Sequence, residues 1–152
     1  MQKKPTGELN NILGKAKPDQ LDRYFEENKK YMADPKKGFY YYMKDVLYEK
    51  NIKLKDVYSF AGFTESYGGQ LLRMEKPTKD RDKIIRLCIA GHFSWDETNR
   101  ALKLYGMSEL YAKNERDACI IVAINNRKYN MSEVDDLLLQ QGFQKLTEDE
   151  KK

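Results

Sequence analysis

One histidine, two cysteines and a few carboxylate clusters are the residues of this chain whose types can do metal or covalent chemistry. His92 follows Gly91 at the end of an apolar helical stretch, with no Cys or acidic cluster at metal-ligand spacing around it. A histidine so placed is expected to meet the free carbonyls of the helix end, not to hold a metal or act as a general base. Gly68-Gly69 lies inside a helical stretch instead of after a strand, so it is no phosphate-cradling loop. Asp135-Asp136 and Glu148-Asp149-Glu150 read as a solvated face and a frayed tail. Cys88 and Cys119 sit in apolar helical patterns and predict buried, reduced thiols of a cytoplasmic protein. Trp95, in the first turn of its helix, is expected to pack in the core. The run Phe39-Tyr40-Tyr41-Tyr42 has the aromatic content of a base-stacking platform. At helical spacing its members point in different directions, so core packing with one exposed Tyr is expected. These residues predict no enzyme, no metal and no cofactor.

The elements that must position them belong to a chain of 152 residues, 28 of them Lys or Arg against 24 Asp or Glu. That length supports one domain, or one with an appendage, around a real core. With 34% charged residues, every apolar run is too short for a membrane span. The start, MQKKPTGELN, has no apolar stretch of the kind a secretory signal needs. Twelve per cent aromatics argues against disorder. The net charge of +4 is unevenly spread: residues 1–50 and 51–91 carry +3 each, and residues 92–152 carry −2. A polyanion-binding part joined to a structural or partner-binding part would show this asymmetry.

Almost every segment has helical spacing, and none alternates with period two long enough for a strand. Leu9, Ile12 and Leu13 form a first short stripe. Asp19 is placed to cap a second helix with Leu21, Tyr24, Phe25 and Tyr31 on its apolar side, and Pro35 and Gly38 close this arm. A helix over 37–50 follows, with Phe39, Tyr42, Met43, Val46 and Leu47 on one side. Two short helices, 54–61 and 64–74, are then joined only by Gly62-Phe63. Gly62 supplies a left-handed stop, and Thr64 can cap the second helix. So tight a joint forces a steep crossing, which describes a helix-turn-helix. Pro77 opens the polar loop that follows.

The second half repeats itself. Residues 81–110 match 116–146: Arg81-Asp82 with Arg116-Asp117, Ile85 with Ile120 and Ile89 with Ile124. After a one-residue insertion, Glu97, Leu102, Gly106 and Leu110 match Glu133, Leu138, Gly142 and Leu146. Ser94 to Glu97 and Asn130 to Glu133 both have capping-box spacing. Gly106 and Gly142 sit where left-handed caps are expected, with Met107 and Phe143 folding back on Leu102 and Leu138. Each unit is therefore a helical hairpin, and two copies are too few for a solenoid.

From Leu54 onward the chain resembles the lambda-repressor-like, or XRE-type, helix-turn-helix domain. The stretch that carries the likeness is Leu54-Lys-Asp-Val-Tyr-Ser-Phe-Ala-Gly-Phe-Thr-Glu-Ser-Tyr-Gly-Gly-Gln-Leu-Leu, then a loop with Pro77 and two further helices. With the 37–50 helix as the first, this makes a five-helix domain of about 70 residues. Over nearly its whole length the chain is also similar to small regulators of Gram-positive bacteria, which carry a segment like Tyr111-Ala-Lys-Asn-Glu-Arg-Asp-Ala118. The implied fold is all-α. A helical arm occupies 1–36, the helix-turn-helix domain 37–110, a hairpin repeating 81–110 occupies 111–147, and 148–152 is a disordered tail.

The resemblance implies that the 64–74 helix enters the major groove of double-stranded DNA. Glu65, Ser66 and Gln70 would then face base edges: Gln suits adenine, Ser either base, and Glu the cytosine amine. Thr64, Tyr67 and Arg73 would flank the groove, while Lys76, Lys79, Arg81, Lys83, Lys53 and Lys55 would meet phosphates. Family members commonly bind as two-fold dimers, which double the contacts. Three residues depart from the family pattern. Glu65 repels phosphate. Gly68 stands where a branched core residue is usual, and Tyr58 where a small Ala is usual. The large and the small exchange face each other and are expected to compensate in volume. The alternative function is an interaction module that keeps the fold and binds protein, through the acidic duplicated hairpins.

Overall fold

The computed structural model describes residues 10, 14–15, 17–27 and 37–147 of two units, Met1–Asp34 and Pro35–Lys152. Among the described residues every regular element is helical. In the first unit a 3-10 turn, Pro18–Gln20, leads into α1, Leu21–Glu27. Asp19 is not the cap expected of it, because Pro18 takes the first position of the turn and moves the cap to Lys17. The Lys17 backbone N donates to Gln20 Oε1 at 2.8 Å. Of the apolar side, Tyr24 is buried and Leu21 is exposed. Leu9, Ile12, Leu13, Tyr31, the Phe25 side chain and the 148–152 tail lie outside the described residues.

The second unit runs α2 (Gly38–Lys50), α3 (Leu54–Ala61), α4 (Glu65–Leu72), α5 (Arg81–Ala90), α6 (Trp95–Leu104), α7 (Glu115–Asn125) and α8 (Met131–Gln140). In α2 the i, i+4, i+7 spacing of Phe39, Met43, Val46 and Leu47 buries one stripe. Tyr41 is left exposed and Tyr40 and Tyr42 half-buried, so the aromatic run packs as its spacing predicts. The Tyr42 hydroxyl donates to the Glu97 carbonyl at 3.1 Å, and burial beside Glu97 pushes its pKa to about 12.

Helix α5 is the centre of the fold. Ile84 through Ala90 are all buried, because α3, α6 and α8 pack around it. Helix α2 lies against α4 and α6, and α7 against α6 and α8. A single apolar core extends from Phe39 to Leu146. Cys88 lies within it, where burial pushes its thiol up, and Cys119 is half-buried; both are free thiols. No helix among the described residues is long and apolar enough to cross a membrane.

The repeat is visible in atomic detail. Gly106 and Gly142 take left-handed φ of 84° and 81°. Met107 N and Phe143 N donate back to the Leu102 and Leu138 carbonyls at 2.8 and 2.9 Å, as a Schellman ending requires. Ser94 and Glu97 form the predicted capping box. The second box does not form. Asn130 Oδ1 instead accepts from Ser132 N at 2.8 Å, a short-range turn that Asn favours, and Glu133 pairs with Lys128.

What joins the hairpins is an exchange between the duplicated Arg-Asp pairs. Arg81 forks onto Asp117 at 2.9 and 2.7 Å, and Arg116 forks onto Asp82 at 2.9 and 2.8 Å. Each guanidinium also donates to two carbonyls of its own hairpin, Ser108 and Glu109 for Arg81, Gln144 and Lys145 for Arg116. At a further pair of matching positions, Asn99 accepts from Leu110 N and Asp135 from Leu146 N.

Burial alone would raise the Asp117 pKa, but the Arg81 and Tyr111 N hydrogen bonds and the Arg81 and Arg116 charges hold it below the usual carboxylate range. A carboxylate depressed in the folded state stabilises it above the unfolded Asp value of about 3.9, and the gain fades as pH falls through the folded value. The stability difference between wild type and Asp117→Asn should therefore stay constant from pH 7 to about 5 and shrink below about 3.9. Urea midpoints across pH measure it. A difference that holds or grows on acidification to pH 2.5 would contradict the pairing.

Candidate nucleic-acid interface

The joint between α3 and α4 forms as the residues dictate. Gly62 ends α3 at φ 83°, and Phe63 N donates back to the Tyr58 carbonyl at 2.9 Å. Thr64 Oγ1 accepts from Tyr67 N at 3.1 Å and caps α4. Helix α4 is shorter than its 64–74 pattern: it ends at Leu72, and Met74 turns left-handed at φ 56°. Two glycines sit in its middle, and each has a neighbour occupying the space of the missing side chain. A Cβ on Gly68 would stand 2.6 Å from Tyr58 Cγ, so the ring fills the place of the residue expected to pack there. A Cβ on Gly69 would stand 2.9 Å from Arg73 Nη1, which folds back over the helix.

Gly68, Gly69, Leu71 and Leu72 are the buried residues of α4, Gly69 beneath the Arg73 side chain. Glu65 and Ser66 are exposed and Gln70 is half-exposed. Thr64 is exposed, though its hydroxyl serves the cap. Lys53, just before α3, Lys55 in its first turn, and Lys76 and Lys79 in the loop after α4 are all exposed.

Three residues expected at the rim have other engagements. Arg81 spends its guanidinium on Asp117 and two carbonyls, as described above. Arg73 pairs with Glu75, Nε to Oε1 at 2.8 Å, and this hydrogen bond holds the Glu75 carboxyl below its usual range. Lys83 Nζ donates to the Tyr67 hydroxyl at 2.8 Å. The basic residues of sequence 73–83 therefore differ in what they can offer a phosphate, and Lys76 and Lys79 offer most.

His92 does not behave as a cation at a helix end. It sits left-handed at φ 62°, with its ring stacked on Tyr129 at 3.9 Å and 15°. Partial burial and the nearby Lys50 charge lower its pKa, so the ring is neutral at neutral pH. Among the described residues no three His, Cys, Asp or Glu side chains group as metal ligands.

Sequence patterning missed Arg86. It lies within the buried run Ile84–Ala90 and is 5% exposed. Its Nε and Nη2 both donate to the Ala61 carbonyl, at 2.9 and 2.7 Å, and its guanidinium lies 4.1 Å over the Phe63 ring. It thus occupies the carbonyl end of α3, where a cation is favoured. The available signal was an arginine in an otherwise apolar run, which must find acceptors when buried.

No protein-family model, curated protein or solved structure matches the chain.

Proposed function

We propose that the protein binds double-stranded DNA in a sequence-specific way as a helix-turn-helix transcriptional regulator, with α4 as its recognition helix. The observation that carries this is the outward face of α4. Exposed Glu65 and Ser66 and half-exposed Gln70 stand on a helix capped by Thr64 and packed into the core through Gly68, Leu71 and Leu72. Exposed Lys53 and Lys55 precede or begin α3, and exposed Lys76 and Lys79 follow α4. Polar hydrogen-bonding side chains on a short helix, bracketed in sequence by cations, suit base edges flanked by phosphates.

Binding of a random duplex library by wild type, Gln70→Ala and Lys79→Ala tests this at residue level. Loss of the Gln70 amide should relax the base preference at one position. Loss of the Lys79 charge should weaken all sequences alike and flatten the salt dependence by about one charge. Identical behaviour of the two variants would remove α4 from the groove.

A second reading, a protein-binding module on the same fold, is favoured by the charge on that face. Glu65 is exposed, and Arg73, the arginine that follows α4, is paired with Glu75.

A further inference from the structure

The joint between α3 and α4 is held from outside by α5. Lys83 and Arg86 are three residues apart on α5 and so project from one side of it. Arg86 forks onto the last carbonyl of α3, Ala61, and covers the Phe63 ring at 4.1 Å. Phe63 meets Tyr67 edge to face with centroids 5.6 Å apart. The Tyr67 hydroxyl takes the Lys83 ammonium at 2.8 Å. An unbroken line of contacts, Arg86–Phe63–Tyr67–Lys83, therefore leaves α5, crosses the joint and returns to α5. Its two ends hold different helices: Arg86 the end of α3, Lys83 the first turn of α4.

From this geometry we infer that Lys83 is a positioning residue for DNA recognition, acting through Tyr67 to fix the direction of α4 against the anchor that Arg86 makes on α3. The inference rests on the DNA-binding reading for its functional half only. Gly62 lets the chain turn, but a left-handed glycine does not by itself select one crossing direction; a charge-assisted hydrogen bond to the first turn of α4 does. Base readout requires that direction to be fixed, because bidentate contacts fail when the helix is misaimed. Lys83 differs in this from Lys76 and Lys79, whose role is charge at the rim.

The test uses the full chain with Tyr67→Phe, Lys83→Met and the double variant. Tyr67→Phe keeps the ring on Phe63, and Lys83→Met keeps an unbranched stem, so both should fold. Native-state amide exchange of Gly68–Leu72 should quicken about tenfold in Tyr67→Phe. It should quicken at least as much in Lys83→Met, which also removes the cation held 5.0 Å over the Tyr67 ring, and no further in the double than in Lys83→Met. Exchange of Ile120–Ile124 in α7 should not change. Unchanged α4 exchange, or additive effects in the double variant, would overturn the inference. On a random duplex library, Tyr67→Phe should broaden the enriched motif while leaving the salt slope within about half a charge of wild type. An unchanged motif in Tyr67→Phe, with a slope flattened by about one charge in Lys83→Met, would show that Lys83 is a plain phosphate contact and likewise overturn it. If wild type enriches no motif, DNA binding falls, and the exchange data still decide whether Lys83 fixes α4.

Discussion

Gly68→Ile should lower the melting temperature steeply, by about 10 °C, because the place of that side chain is already taken. The Tyr58 ring lies where even a methyl group would fall: a Cβ would come to 2.6 Å from its Cγ. Tyr58 is itself 6% exposed and Gly68 is buried in mid-helix, so neither can retreat into solvent. Overpacking of this kind costs about 3 kcal/mol, the upper end of the usual range. Helix propensity pulls the other way, since replacing a mid-helix Gly gains about 1 kcal/mol at most, and the clash wins. Gly68→Ala should therefore also destabilise, though less. Tyr58→Ala alone should cost about 3 to 4 kcal/mol through the cavity it leaves. The decisive variant is the double, Tyr58→Ala with Gly68→Ile, which again sets a large residue against a small one and should melt above either single. Calorimetric melting of the four proteins measures this. A Gly68→Ile protein as stable as wild type would show that the two positions do not share one volume.

Arg81→Ala should be the more damaging of the two clamp truncations, at about 3 kcal/mol. Its loss leaves Asp117, whose side chain is 7% exposed, as a buried carboxylate without its guanidinium. It also strips two carbonyls, Ser108 and Glu109, of their donor. Arg116→Ala removes the matching fork, but Asp82 is 23% exposed and water can take over, so about 1 to 2 kcal/mol is expected. Urea denaturation of both variants gives the comparison. Equal costs would mean that burial of the carboxylate does not set the value of the pair. The same variants separate two roles for Arg81. As a phosphate contact it would change the salt dependence of DNA binding in proportion to its charge. As the joint of the hairpins it changes unfolding and leaves that slope alone, and the four hydrogen bonds it makes favour the second outcome.

Much of the chain announces itself through local rules. Gly62, Thr64, Gly106, Gly142 and the Ser94–Glu97 box each carry out a backbone task within four or five residues, and spacing alone identifies them. The facing exchange of Gly68 and Tyr58 was legible for a different reason, since volume on one side must be matched on the other. Arg81 and Arg86 were not legible in this way. Whether an arginine faces solvent, a phosphate or a carbonyl depends on what tertiary packing brings to it. Asp117 lies 36 positions from Arg81, and Ala61 lies 25 from Arg86. The duplicated Arg-Asp dipeptides did hold the clue, because two like pairs brought together by a repeat can satisfy one another by exchange. Asn130 shows a finer limit: its spacing to Glu133 allowed a capping box, yet its amide accepts from Ser132 N, while Asn114 with the same side chain accepts from the N–H three residues on.

The most direct test of DNA recognition is selection from a random duplex library, followed by affinity for the recovered sequence across a range of salt. A recognition helix flanked by Lys53, Lys55, Lys76 and Lys79 predicts an enriched motif and an affinity that falls by several charges' worth of released counterions, a log–log slope of about −4 or steeper for a dimer. No enrichment near physiological salt would contradict it, and would leave the exposed Glu65 face of α4 to a protein partner.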